Sequence, residues 1–222
     1  MDNVIAIDGP SASGKSTLAC NLSTALHIPY INTGSMFRAT AWAAKKRNIS
    51  LDDEQALAEM LKSLTMEYRT NSTGEFELFC DGTFPGEALR SSETAAGASK
   101  VGTLPLVRNE LKRLQQQMSK MGWIVMEGRD IGTVIFPEAR FKFFVTASPM
   151  ERARRRLAQE GDKAGGSLEE VAAAIAARDL QDSTRPIAPL KPAEDAVLVD
   201  NSNMTYEETF NYIYNKVKDA VL

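Results

Sequence analysis

The chain has 222 residues, 43% of them apolar and 25% charged, with a formal net charge of −3. That length and mixture fit one α/β domain with room for a small insertion, and exclude disordered and fibrous chains. The mild acidity gives no basic footprint for a nucleic-acid backbone, no stretch is apolar enough to span a membrane, and the N-terminus lacks a secretory pattern.

Residues 4–7, VIAI, read as a first strand too apolar to face water on either side. Gly9-Pro10-Ser11-Ala12-Ser13-Gly14-Lys15-Ser16 follows, with Thr17 next, and fits G-x-x-x-x-G-K-[ST] between that strand and a helix with Leu18, Leu22 and Leu26 on one face. Glycines let such a loop wrap a phosphate with inward-pointing amides, helped by the positive end of the helix dipole. Lys15 is expected to reach the β- and γ-phosphates and the Ser16 hydroxyl to ligate Mg2+, which makes ATP with Mg2+ the expected ligand.

His27, the only histidine, precedes a second strand at 28–31 and reads as structural, which leaves no histidine base. A turn-like Asn32-Thr33-Gly34 then leads to Arg38, at the edge of the sheet where open α/β folds bind ligands. Leu57, Met60, Leu61 and Leu64 mark a helix, and residues 66–104 read as an inserted strand-and-helix subdomain. Leu111, Leu114 and Met118 share a further helical face. A strand at 123–126 delivers Arg129 and Asp130, and strands at 141–145 and 196–199 complete a five-stranded parallel sheet covered on both sides, three layers in all.

Ser148, Ser167 and Thr205 each precede Glu by three residues, the capping-box signature of a helix start. Residues 148–185 read as a helix-loop-helix with an arginine-dense first arm and a flexible GDKAGG tip. In its second arm Arg178, Asp182 and Arg185 are spaced to share one helical face until Pro186. Arg152, Arg154, Arg155 and Arg156 fit either a solvated helix face or an anion clamp; Arg178 with Asp182 fits either a surface ion pair or part of a site, and Asp130 could cap a turn.

A GTPase would need N-K-x-D, and the nearest match, NKVK at 215–218, puts Lys where Asp is required. A small kinase remains, needing a second anion pocket; arginine suits that pocket because its planar fork grips phosphate oxygens in pairs. A kinase for a non-nucleotide acceptor and a non-catalytic nucleotide-binding module stand as the alternatives.

The stretches AIDGPSASGKST, NTGSMFRA, LRSSETAAGASKVGTLPLVRNEL, EGRDIGTVIFPEA, RRRLAQ and ARDLQDSTRPIAPLKPAEDAVLVD resemble bacterial-type cytidylate kinases nearly end to end. The resemblance implies the P-loop nucleoside-monophosphate kinase fold, with a monophosphate-binding insertion at 66–104 and a mobile lid at 148–185. It implies transfer of the γ-phosphoryl of ATP to CMP or dCMP. Arg38 and Arg129 would hold the acceptor phosphate, Arg178, Asp182 and Arg185 the sugar and phosphate end, and Ser99, Arg108 and Asp130 the cytosine. Thr33 would lie near the base, although Asn32 stands where the family has Asp. Lys15, Asp182 and either Arg152 or Arg156 would act on the transferring group. Asp130 also has a physical rationale: cytosine presents an N4 donor to a carboxylate, where uracil presents an acceptor. Cys20 and Cys80, without C-x-x-C spacing, suit a cytoplasmic protein, and a monomer acting on small nucleotides is expected.

Overall fold

Residues 4 to 7 have no exposed surface, as a strand covered on both faces requires. They form the middle of β1 (Asp2–Asp8) in a computed structural model that describes residues 2–70, 76–161 and 166–222. Then come α1 (Lys15–Leu26), β2 (Tyr30–Asn32), α2 (Thr33–Lys46), α3 (Glu54–Ser63), β3 (Met66–Thr70), β4 (Phe76–Cys80), α4 (Ser92–Val101) and α5 (Pro105–Met118). The chain continues through β5 (Ile124–Gly128), β6 (Ala139–Thr146), α6 (Pro149–Glu160), α7 (Leu168–Thr184), β7 (Val197–Asp200) and α8 (Tyr206–Val221). Residues 162–165 of the expected GDKAGG tip lie outside the described residues.

Two compact units emerge: one of Met1–Tyr30 with Gly122–Leu222, the other Ile31–Met121. The five strands run in the order β2-β5-β1-β6-β7, and β1 pairs in parallel with both β5 and β6. Strand β1 is therefore central, and the loop after it opens at the carboxyl edge of the sheet. In the first unit Ile5, Ile7, Val125, Phe143, Val145 and Val199 pack with Leu18, Leu22 and Leu26 of α1 and with Ile213 and Val217 of α8. Each such side chain contributes about 1.5–3 kcal/mol of burial.

The expected strand at 28–31 begins only at Tyr30. His27 takes a left-handed conformation (φ 54°) to close α1, the Ile28 amide is spent on the Ser23 carbonyl, and Pro29 has no amide to give a ladder. His27 is thus structural, as its position suggests. The three hydroxyl caps stand where expected, each accepting from the amide of the Glu three residues on. Only Ser167 and Thr205 complete the reciprocal box; Glu151 turns instead to Arg154 and Arg155.

In the second unit the expected turn at Asn32-Thr33-Gly34 is a helix start: the Asn32 side chain accepts from the Ser35 amide at 2.9 Å and α2 runs on. The buried residues Met36, Ala39, Thr40, Ala43 and Ala44 carry its helical period. β3 and β4 pair as an antiparallel hairpin, and the small residues after it form α4, capped by Ser91 and packed on α2. Leu111, Leu114 and Met118 lie on the helix α5 as expected, but the buried face is centered elsewhere. Val107, Arg108, Leu111 and Gln115 are buried, while Leu114 and Met118 are only half-buried.

Candidate active site

The phosphate loop is held from outside by its carbonyls. Arg152 Nη1 donates to the Ser11 carbonyl at 3.0 Å, Asn201 Nδ2 to that of Ser13 at 3.2 Å, and Lys15 Nζ to that of Pro10 at 2.9 Å. Because a planar trans peptide points its N–H opposite its C=O, anchoring the carbonyls aims the amides the other way, the arrangement of an anion nest. Gly9 starts the loop at φ 154°, and a Cβ there would stand 2.0 Å from the Val145 carbonyl. No side chain fits that crossing. Gly14 caps α1 without a side-chain acceptor, so the first amides of α1 are available to an oxyanion.

Acidic residues sit beneath the loop. Ser16 Oγ donates to Glu127 Oε2 at 2.8 Å, and Tyr30 donates to the other Glu127 oxygen. Asp8, 5% exposed, accepts from the amides of Ile131 and Gly132, both at 2.8 Å. Burial pushes the Asp8 carboxyl up to about 7 in spite of those donors. It also lowers the Lys15 ammonium to about 7, with nearby Arg129 adding to the effect. A hydroxyl and a buried carboxylate make an all-oxygen pair, the donor chemistry that Mg2+ prefers. The residues present therefore fit that ion.

The second cluster gathers around Asp182, which is 4% exposed. Arg129 Nε donates to its Oδ2 at 3.0 Å; Arg178 Nε lies 3.4 Å and Arg185 Nη1 3.9 Å from its Oδ1. Arg185 Nη2 also approaches Asp130 Oδ1 at 3.5 Å. The structure thus brings Arg129, Asp130, Arg178, Asp182 and Arg185 together, with three guanidinium groups to two carboxylates. Arg185 stands just past the last turn of α7 as its C-cap, so the shared helical face ends one residue before it. Asp130 makes no side-chain cap to the π-helical turn Ile131–Ile135 that follows.

On α6, Arg152 is 3% exposed and wholly engaged: Nε donates to the Ala147 carbonyl, Nη1 to Ser11, and Nη2 to Asp179. It ties α6 to the phosphate loop and to α7. Arg155 donates to Asn201 and Glu151, and Arg156 is half-buried on the same helix. Within the second unit, Thr33 is buried at the start of α2, and the Tyr68 hydroxyl bonds both the amide and the carbonyl of Asn32 beside it. Arg38 is half-buried on the same helix. Arg108 is buried, donates to the Gly102 carbonyl at 3.0 Å and lies over the Phe37 ring. The Ser99 hydroxyl donates to Ala95 of its own helix.

Sequence reasoning passed over Asp8, Glu127 and Asn201. The available signal was position: the first two lie at the carboxyl ends of β1 and β5, and Asn201 directly follows β7, where ligands of such sheets gather.

A family model described as cytidylate kinase matches residues 5–219. The chain is 42% identical to the cytidylate kinase of Chlorobaculum tepidum, over 98% of this chain and 94% of that protein. It is 41% identical to the cytidylate kinase of a Geobacillus species, over 98% and 97%. The crystal structure of an uncharacterized protein from Eubacterium ventriosum shares the fold, with a TM-score of 0.52 at 11% identity and 99% of both chains covered.

Proposed function

The chain belongs to the cytidylate kinase family, and from that premise we propose that it transfers the γ-phosphoryl of ATP to CMP or dCMP, giving ADP and CDP or dCDP. The observation that carries the reading is the Asp182 cluster, in which Arg129, Arg178 and Arg185 meet one buried carboxylate within the unit that holds the phosphate loop. A phosphate monoester is a dianion near neutral pH, and converging guanidinium forks match its oxygens.

The acceptor phosphate is already a nucleophilic oxyanion, so the protein needs alignment and charge rather than a covalent intermediate. One acceptor oxygen bonds to the γ-phosphorus in line as the bond to the β–γ bridging oxygen breaks, and ADP leaves. The loop amides and Lys15 hold the donor phosphates. Ser16 and Glu127 would hold Mg2+, which when bound neutralises charge on those phosphates. Arg129, Arg178 and Arg185 seat the acceptor phosphate while Asp182 keeps their forks apart and oriented. Asp130 reads the cytosine N4 amine; uracil would oppose acceptor to acceptor, a mismatch of about 1–3 kcal/mol.

Arg156 takes the contact to the transferring phosphoryl, and Arg152 supports the loop from behind. The family resemblance assigns Arg38, with Arg129, to the acceptor phosphate, and Thr33, Ser99 and Arg108 to the surroundings of the base. The nucleotides are the expected partners of a monomer working in the cytoplasm; among the described residues no helix is long and apolar enough to cross a membrane. Residues 148–185 act as the lid that excludes water during transfer, and residues 66–104 as the monophosphate-binding insertion.

The test is an ADP-release assay with Mg-ATP and, in turn, CMP, dCMP, UMP, AMP, GMP and shikimate. Strong turnover with CMP and dCMP and weak turnover with UMP is expected. Turnover only with shikimate, or with none, would overturn the reading.

A further inference from the structure

We propose that Asp8 is a positioning residue for the acceptor: its carboxylate clamps the segment carrying Arg129 and Asp130 to the base of the phosphate loop. Asp8 is the last residue of β1 and directly precedes Gly9, so its backbone is continuous with the loop. Its two oxygens each accept from a backbone amide at 2.8 Å, one from Ile131 and one from Gly132. Those amides open the π-helical turn that follows Asp130, and Asp130 does not cap that turn itself. One buried side chain on β1 therefore supplies the cap for a segment more than a hundred residues away in sequence.

Two-point contact fixes orientation as well as distance. A single hydrogen bond is a hinge; two from consecutive amides to the two oxygens of one planar carboxylate remove that rotation. The same segment carries Arg129, bonded to Asp182, and Asp130, facing Arg185. The packing on the far side is close. A Cβ at Gly132 would meet Lys142 Cγ and Cδ at 3.2 Å and Asp8 Oδ2 at 3.5 Å, so alanine there asks the Lys142 chain to give by a few tenths of an ångström or the turn to shift against the carboxylate. Burial raises the Asp8 carboxyl, and the two amide bonds oppose that shift by favouring the ionised form.

This inference rests on the reading of Arg129 and Asp130 as acceptor-binding residues. Steady-state kinetics of the full chain test it with Asp8→Asn and Gly132→Ala, varying CMP and ATP separately. Asparagine keeps one acceptor oxygen but turns an NH2 toward the other amide, donor against donor. Gly132→Ala disturbs the same clamp while leaving the charge near Lys15 unchanged. The KM for CMP should rise about tenfold in Asp8→Asn and about threefold in Gly132→Ala, with the KM for ATP within about twofold of the parent.

Equal rises in both KM values in the two variants, or an unchanged KM for CMP in either, would overturn the clamp. Should Asp8→Asn not fold, Gly132→Ala decides alone. Absence of CMP turnover in the unsubstituted chain is a separate result, and would overturn the functional reading together with this inference.

Discussion

On the proposed reading the phosphate loop and the Asp182 cluster both receive phosphate oxygens, by opposite means. The loop uses backbone amides whose aim is fixed because Arg152, Asn201 and Lys15 hold the carbonyls behind them. The cluster uses side chains, three guanidinium groups spaced 3.0 to 3.9 Å from the oxygens of one carboxylate. A backbone site tolerates most changes of side chain, since its ligands belong to the peptide; a side-chain site responds to each of its members. Donor binding should therefore depend on few residues, and acceptor binding on many.

The largest expected effect comes from Lys15, which holds the Pro10 carbonyl in this structure and is proposed to take the donor phosphates. Lys15→Ala should lower kcat/KM by about 10²–10³-fold, because a preorganised charge next to the transferring group is lost. CMP binding measured by calorimetry should change by less than about threefold. Loss of CMP affinity as large as the loss of rate would erase the distinction between the two regions.

Removing the hub should come next. Asp182→Asn leaves Arg129, Arg178 and Arg185 with a neutral partner, and kcat/KM for CMP should fall about 10- to 100-fold. The affinity for ATP should hold, as read by equilibrium dialysis. Asp130→Ala should have a narrower consequence: the ratio of kcat/KM for CMP to that for UMP should shrink about tenfold. An unchanged ratio would mean that Asp130 does not read the base. The smallest effect is expected from Arg152→Lys, which removes the fork that joins Ser11, Ala147 and Asp179. It should raise the KM for ATP about threefold and leave the KM for CMP alone, a reversal of the Asp8 pattern.

Legibility in the sequence follows the same division. The phosphate loop is contiguous, and its mechanism demands a strand before it and a helix after it, so Gly9 to Ser16 could be placed without tertiary information. The helix starts at Ser148, Ser167 and Thr205 were equally plain because a cap and its Glu lie three residues apart. Strand β2 began late because the Ile28 amide had another use, a contact within the preceding helix terminus that an apolar pattern does not encode. Helix α2 was hidden by Gly34 in its first turn, where the chemistry of a turn and that of a capped helix coincide. The shared face of Leu111, Leu114 and Met118 is present in α5, but its buried center also takes in Arg108 and Gln115, whose polar side chains an apolar pattern does not mark.

Asp8 and Glu127 are marked in the sequence only by their place at strand ends. An acid at the end of a strand is unremarkable until another segment brings amides or a hydroxyl to it. The arginines could be counted in advance, but their division of labor could not. Arg152 and Arg156 share a helix face in sequence, and only the Ser11 carbonyl and Asp179 identify Arg152 as the one drawn into the interior.

The pairing of β1 has a consequence for the order in which the molecule is made. Val4 lies beside Ile124 and Ile5 beside Phe141, so both neighbors of the strand that carries the phosphate loop are synthesised long after it. At ribosomal speeds of about 5–20 residues per second, the loop waits on the order of ten seconds for the strands that steady it. Its tethers arrive later still, Arg152 with α6 and Asn201 after β7. Nucleotide can therefore stabilise this unit only once those later segments have been made, and such distant pairings make formation of this sheet slow compared with that of its helices. The phosphate loop precedes every one of these partners in the chain, and its last tether waits for residue 201 to be made.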